Sequence, residues 1–402
     1  MKKVLLTALA VYVFLAPFTY HPDTKLTLRY ASVDQGRVFN IYRYLGENET
    51  SMPDFHYPPL HFLILKLEYW LLRPIGGNGF DQWLATGSFL GNETKLYSYI
   101  FLTKLPLIGL TMISAWLIYR LVLAMGGNKQ AAMKGMKWWL FNPITIFSVA
   151  IMGQNDIWTI SVFLVGLLIS VNRPWFGFVV MGLSAGIKSY PLVWMGLVAM
   201  GGPFGGWFKK TGLLIVGCLV YGLSLVPFLS TPGFMESVVG SGLMSRILVA
   251  KIDIGFGESV MIGPMLLVLV MVLAIGSGKN EFKKLMWWLM TAGLVMIGWS
   301  HFHVQWLLWL VPFWSIYVGV FKGNSPNYLM GLIWLVGLGI WLMFDDVFLV
   351  WGLVAPIKPE LINWPTIYQF FGNKGMDGGL LVDGLHSVLA GLSIGAIFWG
   401  LR

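Results

Sequence analysis

Residues 213–229 read LLIVGCLVYGLSLVPFL, seventeen residues without a single charge. Residues 265–276, MLLVLVMVLAIG, form a second run of the same kind. Such runs have no charged group to place in water and are typical of helices that lie in a lipid bilayer. The rest of the chain agrees, because 57% of its 402 residues are hydrophobic and only 11% are charged, against about a quarter in soluble domains. The sequence therefore predicts a helical protein that crosses a membrane many times.

Twelve apolar segments predict an all-α polytopic membrane protein with about 12 transmembrane helices, several of them short and broken. A cytoplasmic N-terminus followed by strict alternation places 14 of the 27 basic residues on the cytoplasmic side, but only one of the 18 acidic residues, Glu281. This asymmetry obeys the positive-inside rule and supports the predicted orientation. The segments lie near 4–20, 97–124, 138–152, 156–171, 175–187, 190–201, 211–229, 259–276, 284–300, 303–321, 328–344 and 385–401.

Charge and cysteine content exclude several other classes. Basic loops that face anionic lipid account for the formal net charge of +9, so the charge does not require a nucleic-acid partner. The first apolar segment follows Lys2 and Lys3 but has no small-residue cleavage site, and we interpret it as a retained helix. The single cysteine, Cys218, lies in an apolar run, which excludes a disulfide framework. We expect an integral, multi-pass protein of the plasma membrane if prokaryotic, or of the endoplasmic reticulum if eukaryotic.

A long first extracytoplasmic loop, residues 21–96, follows the first helix. Within it, residues 57–72 read YPPLHFLILKLEYWLL, an amphipathic stretch whose two prolines suit the start of a helix, where a missing N–H costs nothing. Charged residues within this stretch make it a poor membrane span, so we expect a helix that lies in the outer interface. The chain is thus predicted to be one transmembrane domain (1–402) made of this loop, core helices (97–321) and C-terminal helices with a loop (322–402).

Three polar joints interrupt the apolar segments: Gln154-Asn155-Asp156, Lys188-Ser189-Tyr190 and the stretch from His301 to Gln305. The helices predicted to flank the first joint are about 22 Å long, shorter than a hydrocarbon core of about 30 Å. The tips of such short hairpins lie below the membrane surface, where irregular backbone is stable only if it lines a cavity in the protein. All three joints lie on the outer side in the predicted topology, so we expect them to form an outward-facing polar pocket.

Basic residues near the joints are candidates for binding an anion. Lys188 is the only charge between two apolar helices, which favours a counter-ion for a phosphate; the alternative is a lysine that extends to the outer interface. Arg246 either clamps an anionic head group or is a solvated loop charge. His301 and His303 either hydrogen-bond a phosphate or sugar or are interfacial histidines, and their spacing is poor for a shared metal.

The first loop offers candidate general bases for an acceptor hydroxyl. Asp23 directly follows the first helix and Asp54 precedes the predicted interfacial helix; the alternative for each is a solvated loop carboxylate. At the first joint, Asn155 or Asp156 is alternatively the N-cap of the next helix, although a charge at this depth is costly. The predicted sugar or acceptor contacts are His56, Tyr57, Gln154, Asn155, Asp156, Tyr190 and Gln305.

Four stretches occur in an order that resembles the GT-C superfamily of integral-membrane glycosyltransferases: YPPL (57–60), WLFNPITI (139–146), GLSAGIKSYPLVW (182–194) and HVQWLLWLVPF (303–313). Within it, the chain resembles the GPI-anchor first mannosyltransferase and its bacterial and archaeal polyprenyl-phosphate-mannose-dependent relatives. A family tract KIYP matches 188–191, and a tract SQYFLWYLP matches 304–312. The resemblance runs from the first loop to 312 and adds no motif in the C-terminal tail.

The resemblance implies inverting transfer of a hexose, mannose in particular, from a polyprenyl-phosphate sugar to a hydroxyl of a glycolipid or glycan acceptor on the extracytoplasmic face. It also implies catalysis by a first-loop aspartate, which Asp23 matches best by position, with Asp54 in reserve. Lys188, with Arg246 or a histidine of 301 and 303, would neutralise the leaving phosphate. The family has Asp-x-Asp in this loop, whereas residues 23–25 read Asp-Thr-Lys, so the sequence gives no support for a divalent metal or another cofactor.

Two other functions fit parts of this pattern. Broken helices with polar residues at mid-membrane depth are equally typical of secondary transporters, so a transporter or flippase of lipid-linked saccharides is the alternative. Such proteins tend to contain internal repeats, and the first six apolar segments show no similarity to the last six. A non-catalytic scaffold is a third reading, but it gives no reason for Lys188 between two apolar helices.

Overall fold

The computed structural model of the chain describes residues 1–48, 52–86, 95–241, 246–276, 282–301, 303–321 and 325–401. Helices dominate the described residues, which confirms the predicted all-α class. Four charged residues used in the topology prediction, Lys279, Glu281, Lys322 and Arg402, lie outside the described residues. The helices are α1 Lys2–Leu15, α2 Pro22–Ser32, α3 Ile41–Glu47, α4 Pro59–Ala85, α5 Leu96–Ala124, α6 Lys129–Leu140, α7 Pro143–Ile146, α8 Asp156–Ser170, α9 Pro174–Ile187, α10 Pro191–Gly201, α11 Trp207–Leu225, α12 Pro232–Phe234, α13 Ile262–Gly276, α14 Phe282–Gly298, α15 Val311–Val320, α16 Ser325–Leu342, α17 Ile367–Asn373 and α18 Gly378–Gly400.

Short turns and one hairpin connect these helices. Strands β1 Lys251–Gly255 and β2 Glu258–Met261 pair antiparallel, with Lys251 opposite Met261. Two turns are π-helical, Phe147–Ile151 and Met235–Val239. The 3₁₀ turns include Ala16–Phe18, Val226–Phe228, Arg246–Leu248, Val304–Trp309, Val347–Leu349, Trp351–Val354 and Pro359–Asn363.

Three described helices are long and apolar enough to cross a bilayer: α5, α18, and α11 continued to Phe228. The pair Lys2–Phe18 and Pro22–Gly36 passes the same test together, but its two halves are bent by 83°. Six further apolar helices are shorter, which agrees with the prediction of short and broken segments. The structure thus supports a membrane protein, whereas the count of about 12 spans and their orientation stay predictions.

The predicted segment 138–152 is wrong as a continuous helix. α6 ends at Leu140, and α7 begins after Asn142, whose Oδ1 accepts a hydrogen bond from the N–H of Ile144 at 3.0 Å. Pro143 has no N–H with which to continue α6, so the chain breaks here. The π-helical turn Phe147–Ile151 then leads into the first joint. The segment before this joint is therefore short and irregular. Similarly, residues 259–261 belong to β2 and not to the following helix.

The first loop folds into helices that pack on the core. α4 begins at Pro59, as the two prolines predicted, and bends at Gly77, whose φ of 66° suits a residue without a Cβ. α4 packs against α2 and α9, and α9 packs in turn against α8 and α11. Aromatic residues of this loop form a second buried cluster beside the main core, which includes residues of α1 and α18. α2 is hydrogen-bonded to the first joint, through Asp23 to Gln154 and Thr27 to Asn155; the position of α4 in the membrane interface stays a prediction.

Candidate active site

A cavity of about 540 Å³ lies where the first-loop helices meet the three joints. This volume is in the range of about 300–1,000 Å³ that is usual for small-molecule sites. Ten of the thirteen predicted site residues line it, whereas Asp54, Asn155 and His301 do not. The lining also has an apolar part, made of Leu192, Val193, Ile247, Leu267, Met296 and Leu349. The cavity thus combines charged groups with a surface suited to a hydrocarbon chain.

Asp23 presents a carboxylate to this cavity from the first turn of α2. Pro22 begins the helix and His21 caps it, because the His21 Nδ1 accepts a hydrogen bond from the N–H of Asp23 at 3.3 Å. The side-chain amide of Gln154 donates to Asp23 Oδ2 at 3.1 Å, and 44% of the Asp23 side chain is exposed. A carboxylate that is held at one oxygen and accessible at the other is suited to accept a proton from a bound hydroxyl.

A buried ion pair connects the first two joints. Lys188 Nζ donates to Asp156 Oδ2 at 2.8 Å, and Trp309 Nε1 donates to Asp156 Oδ1 at 2.8 Å. The side chains of Asp156 and Lys188 are 1% and 12% exposed, so the alternative of a lysine that extends to the outer interface does not fit. Lys188 Nζ also lies 4.9 Å from the centre of the Tyr57 ring. Lys188 therefore faces the cavity with its charge balanced by Asp156.

Stacked aromatic rings form one wall of the cavity. The ring centres of Tyr190 and Trp309 are 3.9 Å apart, and those of Trp309 and Trp306 are 4.9 Å apart. The guanidinium carbon of Arg246 lies 5.7 Å from the Trp306 ring. The wall thus carries Arg246 near one end and the Lys188–Asp156 pair, bonded to Trp309, near the other. Its rings offer a large, rigid apolar surface to a ligand.

The buried polar atoms of the cavity lining that have no hydrogen-bond partner within the described part of the chain include Nη1 of Arg246 and Oε1 of Gln305. Both atoms are buried, and leaving such an atom unpaired costs about 1–3 kcal/mol. Because buried polar groups are almost always paired, these two are placed to bind a ligand. A guanidinium matches the oxygens of a phosphate in geometry and charge. The alternative of a solvated loop charge fits Lys251, which is exposed on the hairpin, better than it fits Arg246.

The third joint contributes an imidazole. His303 lines the cavity, and its ring is stacked on that of Phe344, with the ring centres 5.8 Å apart. A ring nitrogen of His303 that carries a proton can donate a hydrogen bond to a ligand. His301 is exposed and does not line the cavity. The rings of the two histidines lie 5.8 Å apart, and no group of three or more His, Cys, Asp or Glu within the described ranges is arranged to hold a metal.

The remaining predicted residues lie at or beyond the edge of the cavity. Asn155 stands at the N-cap position of α8, but its side chain does not cap the helix: its Nδ2 donates to Thr27 Oγ1 at 3.1 Å. His56 lines the cavity with an exposed ring, whose Nδ1 lies 2.9 Å from the carbonyl oxygen of Ser237. Asp54 is exposed on the segment before α4. The structure therefore brings Asp23, and not Asp54, to the other polar groups.

Sequence reasoning missed several residues of the cavity lining, among them His21, Trp306, Trp309 and the exposed carboxylate of Asp346. The signal for the tryptophans was their spacing of three, because side chains at i and i+3 eclipse in a 3₁₀ helix, and Val304–Trp309 is such a helix. The signal for His21 was its place before Pro22, since the residue before an N-terminal proline is the N-cap.

Residues 83–201 match the model of a family described as alpha-(1->6)-mannopyranosyltransferase, N-terminal domain. No curated protein matches the chain. The matched range is less than a third of the chain, yet it contains the first two joints, with Gln154, Asp156 and Lys188. The match supports a mannosyltransferase-like family and a glycosyltransferase activity for this membrane protein.

Proposed function

We propose that the protein transfers a hexose, mannose in particular, from a polyprenyl-phosphate sugar to an acceptor hydroxyl on the extracytoplasmic face, with inversion. The observation that carries this proposal is one cavity that holds an accessible carboxylate, Asp23, and the guanidinium of Arg246, whose Nη1 has no hydrogen-bond partner among the described residues. Transfer of a sugar from a phosphate requires both a proton acceptor and a cation for the leaving group. The family match supports mannose as the sugar.

The donor fits the cavity in two parts. Its polyprenyl chain lies against the apolar lining, and its phosphate lies against Arg246. Lys188 supplies a second cation, and His303 supplies a hydrogen-bond donor. Pre-placed donors that face developing negative charge provide the largest share of catalysis in many enzymes. Because Asp156 already balances Lys188, we assign most of the phosphate's charge compensation to Arg246.

The transfer step follows from this placement. Asp23 takes the proton of the acceptor hydroxyl, whose oxygen bonds to the anomeric carbon as the bond from that carbon to the phosphate oxygen breaks. Polyprenyl phosphate leaves with the bonding electron pair, and its negative charge meets Arg246. A single displacement of this kind inverts the anomeric carbon. Gln154 orients Asp23, and a positioned base of this kind contributes about 10²- to 10⁴-fold to the rate.

The aromatic wall and the remaining polar groups serve the sugar. Tyr190, Trp309 and Trp306 form a flat surface, while Gln305 offers a free carbonyl oxygen to a sugar hydroxyl. Tyr57 and His56 lie on the first-loop side, where an acceptor would enter. These assignments, and those of His301, Asn155 and the reserve base Asp54, stay predictions.

The test is transfer of label from radiolabelled polyprenyl-phosphate mannose to lipid acceptors by the purified protein in liposomes, with glucose and arabinose donors in parallel. We expect mannose transfer by the native protein and by Asp253→Asn, an exposed hairpin carboxylate, and its loss in Asp23→Asn. No transfer from any of the three donors by folded protein would contradict the proposal. If the same liposomes then move the intact donor between leaflets, the flippase alternative holds instead.

A further inference from the structure

Lys104 is a fully buried lysine in the N-terminal third of α5, and the mechanism above does not use it. Its side chain is 0% exposed, and its Nζ lies within 3.0 Å of five oxygen atoms. The acceptors are Ala16 O (3.0 Å), Thr19 O (2.6 Å), Thr19 Oγ1 (3.0 Å), Ala150 O (2.9 Å) and Ile151 O (2.7 Å). Charged groups inside a membrane protein are costly and usually have a function.

The acceptors belong to two chain segments that end next to the cavity. Ala16 and Thr19 lie at the end of the first helix, and Ala150 and Ile151 at the end of the π-helical turn. The last carbonyls of a helix have no partner within it and carry partial negative charge. One ammonium group therefore satisfies two helix ends that would otherwise meet with like charge.

Those two segments carry the proton acceptor and the amide that orients it. Asp23 follows Thr19 by four residues, Gln154 follows Ile151 by three, and the two side chains are hydrogen-bonded to each other. A second bond ties the segments, since Thr24 Oγ1 donates to Met152 O at 2.7 Å. Gly153, at φ 71°, lies against this contact, because a Cβ there would stand 2.7 Å from Thr24 Oγ1 and 3.2 Å from Lys104 Cε. The packing leaves little freedom between Lys104 and the Asp23–Gln154 pair.

We propose that Lys104 is a positioning residue for the transfer: by holding the two helix ends together, its ammonium group fixes Asp23 against Gln154. The effect of Lys104 on the transfer rate rests on the proposed function. Its effect on the order of the two segments does not, so this proposal and the proposed function can fail separately.

The first experiment needs no enzymatic activity. Amide hydrogen exchange is measured on the purified full chain, on Lys104→Met and on Lys66→Met as a matched control. Lys66 is also a buried lysine that donates to a backbone carbonyl, but its acceptor, Val38 O at 2.6 Å, lies in neither of the two segments. We expect Lys104→Met to speed exchange in 19–28 and 150–156 by about tenfold or more, and Lys66→Met to leave both segments unchanged. Unchanged exchange in Lys104→Met would overturn the proposal.

The second experiment separates positioning from general stability. We expect Lys104→Met to lower kcat about 10- to 100-fold, as for a base displaced by about 1 Å, with KM for the donor nearly unchanged. In an Asp23→Asn background the same change should have an effect of less than about threefold, because residues that act together are not additive. An equal loss in both backgrounds, or a loss confined to KM, would overturn the proposal.

Other measurements decide if Lys104→Met does not fold or if the native protein transfers no sugar. If Lys104→Met does not fold, Thr19→Val, which removes one of the five acceptors, takes its place. It should lower kcat in the native background alone, and an unchanged kcat would overturn the proposal. If the native protein transfers no sugar, the proposed function fails, and the exchange measurement alone decides whether Lys104 holds the two segments.

Discussion

The buried pair of Lys188 and Asp156 gives the sharpest prediction on stability. The Asp156 side chain is 1% exposed, and Lys188→Met leaves its carboxylate with Trp309 Nε1 as a hydrogen-bond donor but without a cation. Removing one member of a buried pair costs about 3–5 kcal/mol, because the other charge stays buried without compensation. The double variant Lys188→Met with Asp156→Asn removes both charges and keeps an oxygen for Trp309. We expect its free energy of unfolding to lie within about 1 kcal/mol of the native value.

The measurement is equilibrium unfolding of the solubilised protein in mixed micelles of increasing denaturing detergent. Arg73→Met is the matched control, because the pair that Arg73 forms with Asp81 at 3.0 Å is far more exposed than the Lys188–Asp156 pair. We expect Arg73→Met to lower the free energy of unfolding much less than Lys188→Met does. The double variant should recover stability without recovering donor binding, since it lacks the second cation. The reasoning would be refuted if Lys188→Met lowered the free energy of unfolding by less than about 1 kcal/mol. It would also be refuted if the decrease in the double variant equalled the sum of the decreases in the two single variants.

Three further predictions concern neighbouring groups. Arg246→Met should lower kcat/KM for the donor by about 10- to 150-fold, because a charged hydrogen bond is lost; initial rates at varied donor concentration measure this. Arg246→Lys should keep part of the native kcat/KM. An unchanged kcat/KM in Arg246→Met would remove Arg246 from the site. Trp309→Phe keeps the stacked ring but loses the N–H to Asp156, so it should lower the free energy of unfolding by about 1.5–3 kcal/mol; an undiminished value would argue against that bond. His303 lines the cavity and is proposed to donate a hydrogen bond to the phosphate, so His303→Ala should lower kcat/KM for the donor by about 3- to 10-fold; an unchanged kcat/KM would remove His303 from the site.

Composition and the order of polar joints were enough to predict a helical membrane protein and the pocket's main residues. Lys188 and Asp156 stood out because charges between apolar segments are costly, and the structure shows that they compensate each other. Sequence alone could not predict that pairing, because it depends on how α8 and α9 pack. For the two candidate bases, the family resemblance already favoured Asp23 over Asp54 by position, and the fold agrees, because Asp23 lines the cavity and Asp54 does not.

Local chemistry accounts for what the sequence analysis got wrong or overlooked. The 138–152 segment is mostly apolar on both sides of Asn142, but the Asn142–Pro143 cap outweighs hydrophobicity and breaks the helix. Lys104 was one of two charges within the apolar segment 97–124, and the other, Arg120, lies near the segment's end, so Lys104 carried a signal. Its meaning depends on two helix ends distant in sequence, which no local pattern reveals. The tryptophan stack likewise required the 3₁₀ geometry of residues 304–309.

The central claim is that Asp23 activates the acceptor in a cavity that also holds the donor phosphate. It is tested most directly by single-turnover transfer from polyprenyl-phosphate mannose with Asp23→Asn and Asp54→Asn side by side. We predict that Asp23→Asn slows transfer by about 10²- to 10⁴-fold while donor binding persists, and that Asp54→Asn stays close to the native rate. Full transfer by a folded Asp23→Asn protein, or a loss in Asp54→Asn alone, would contradict the account.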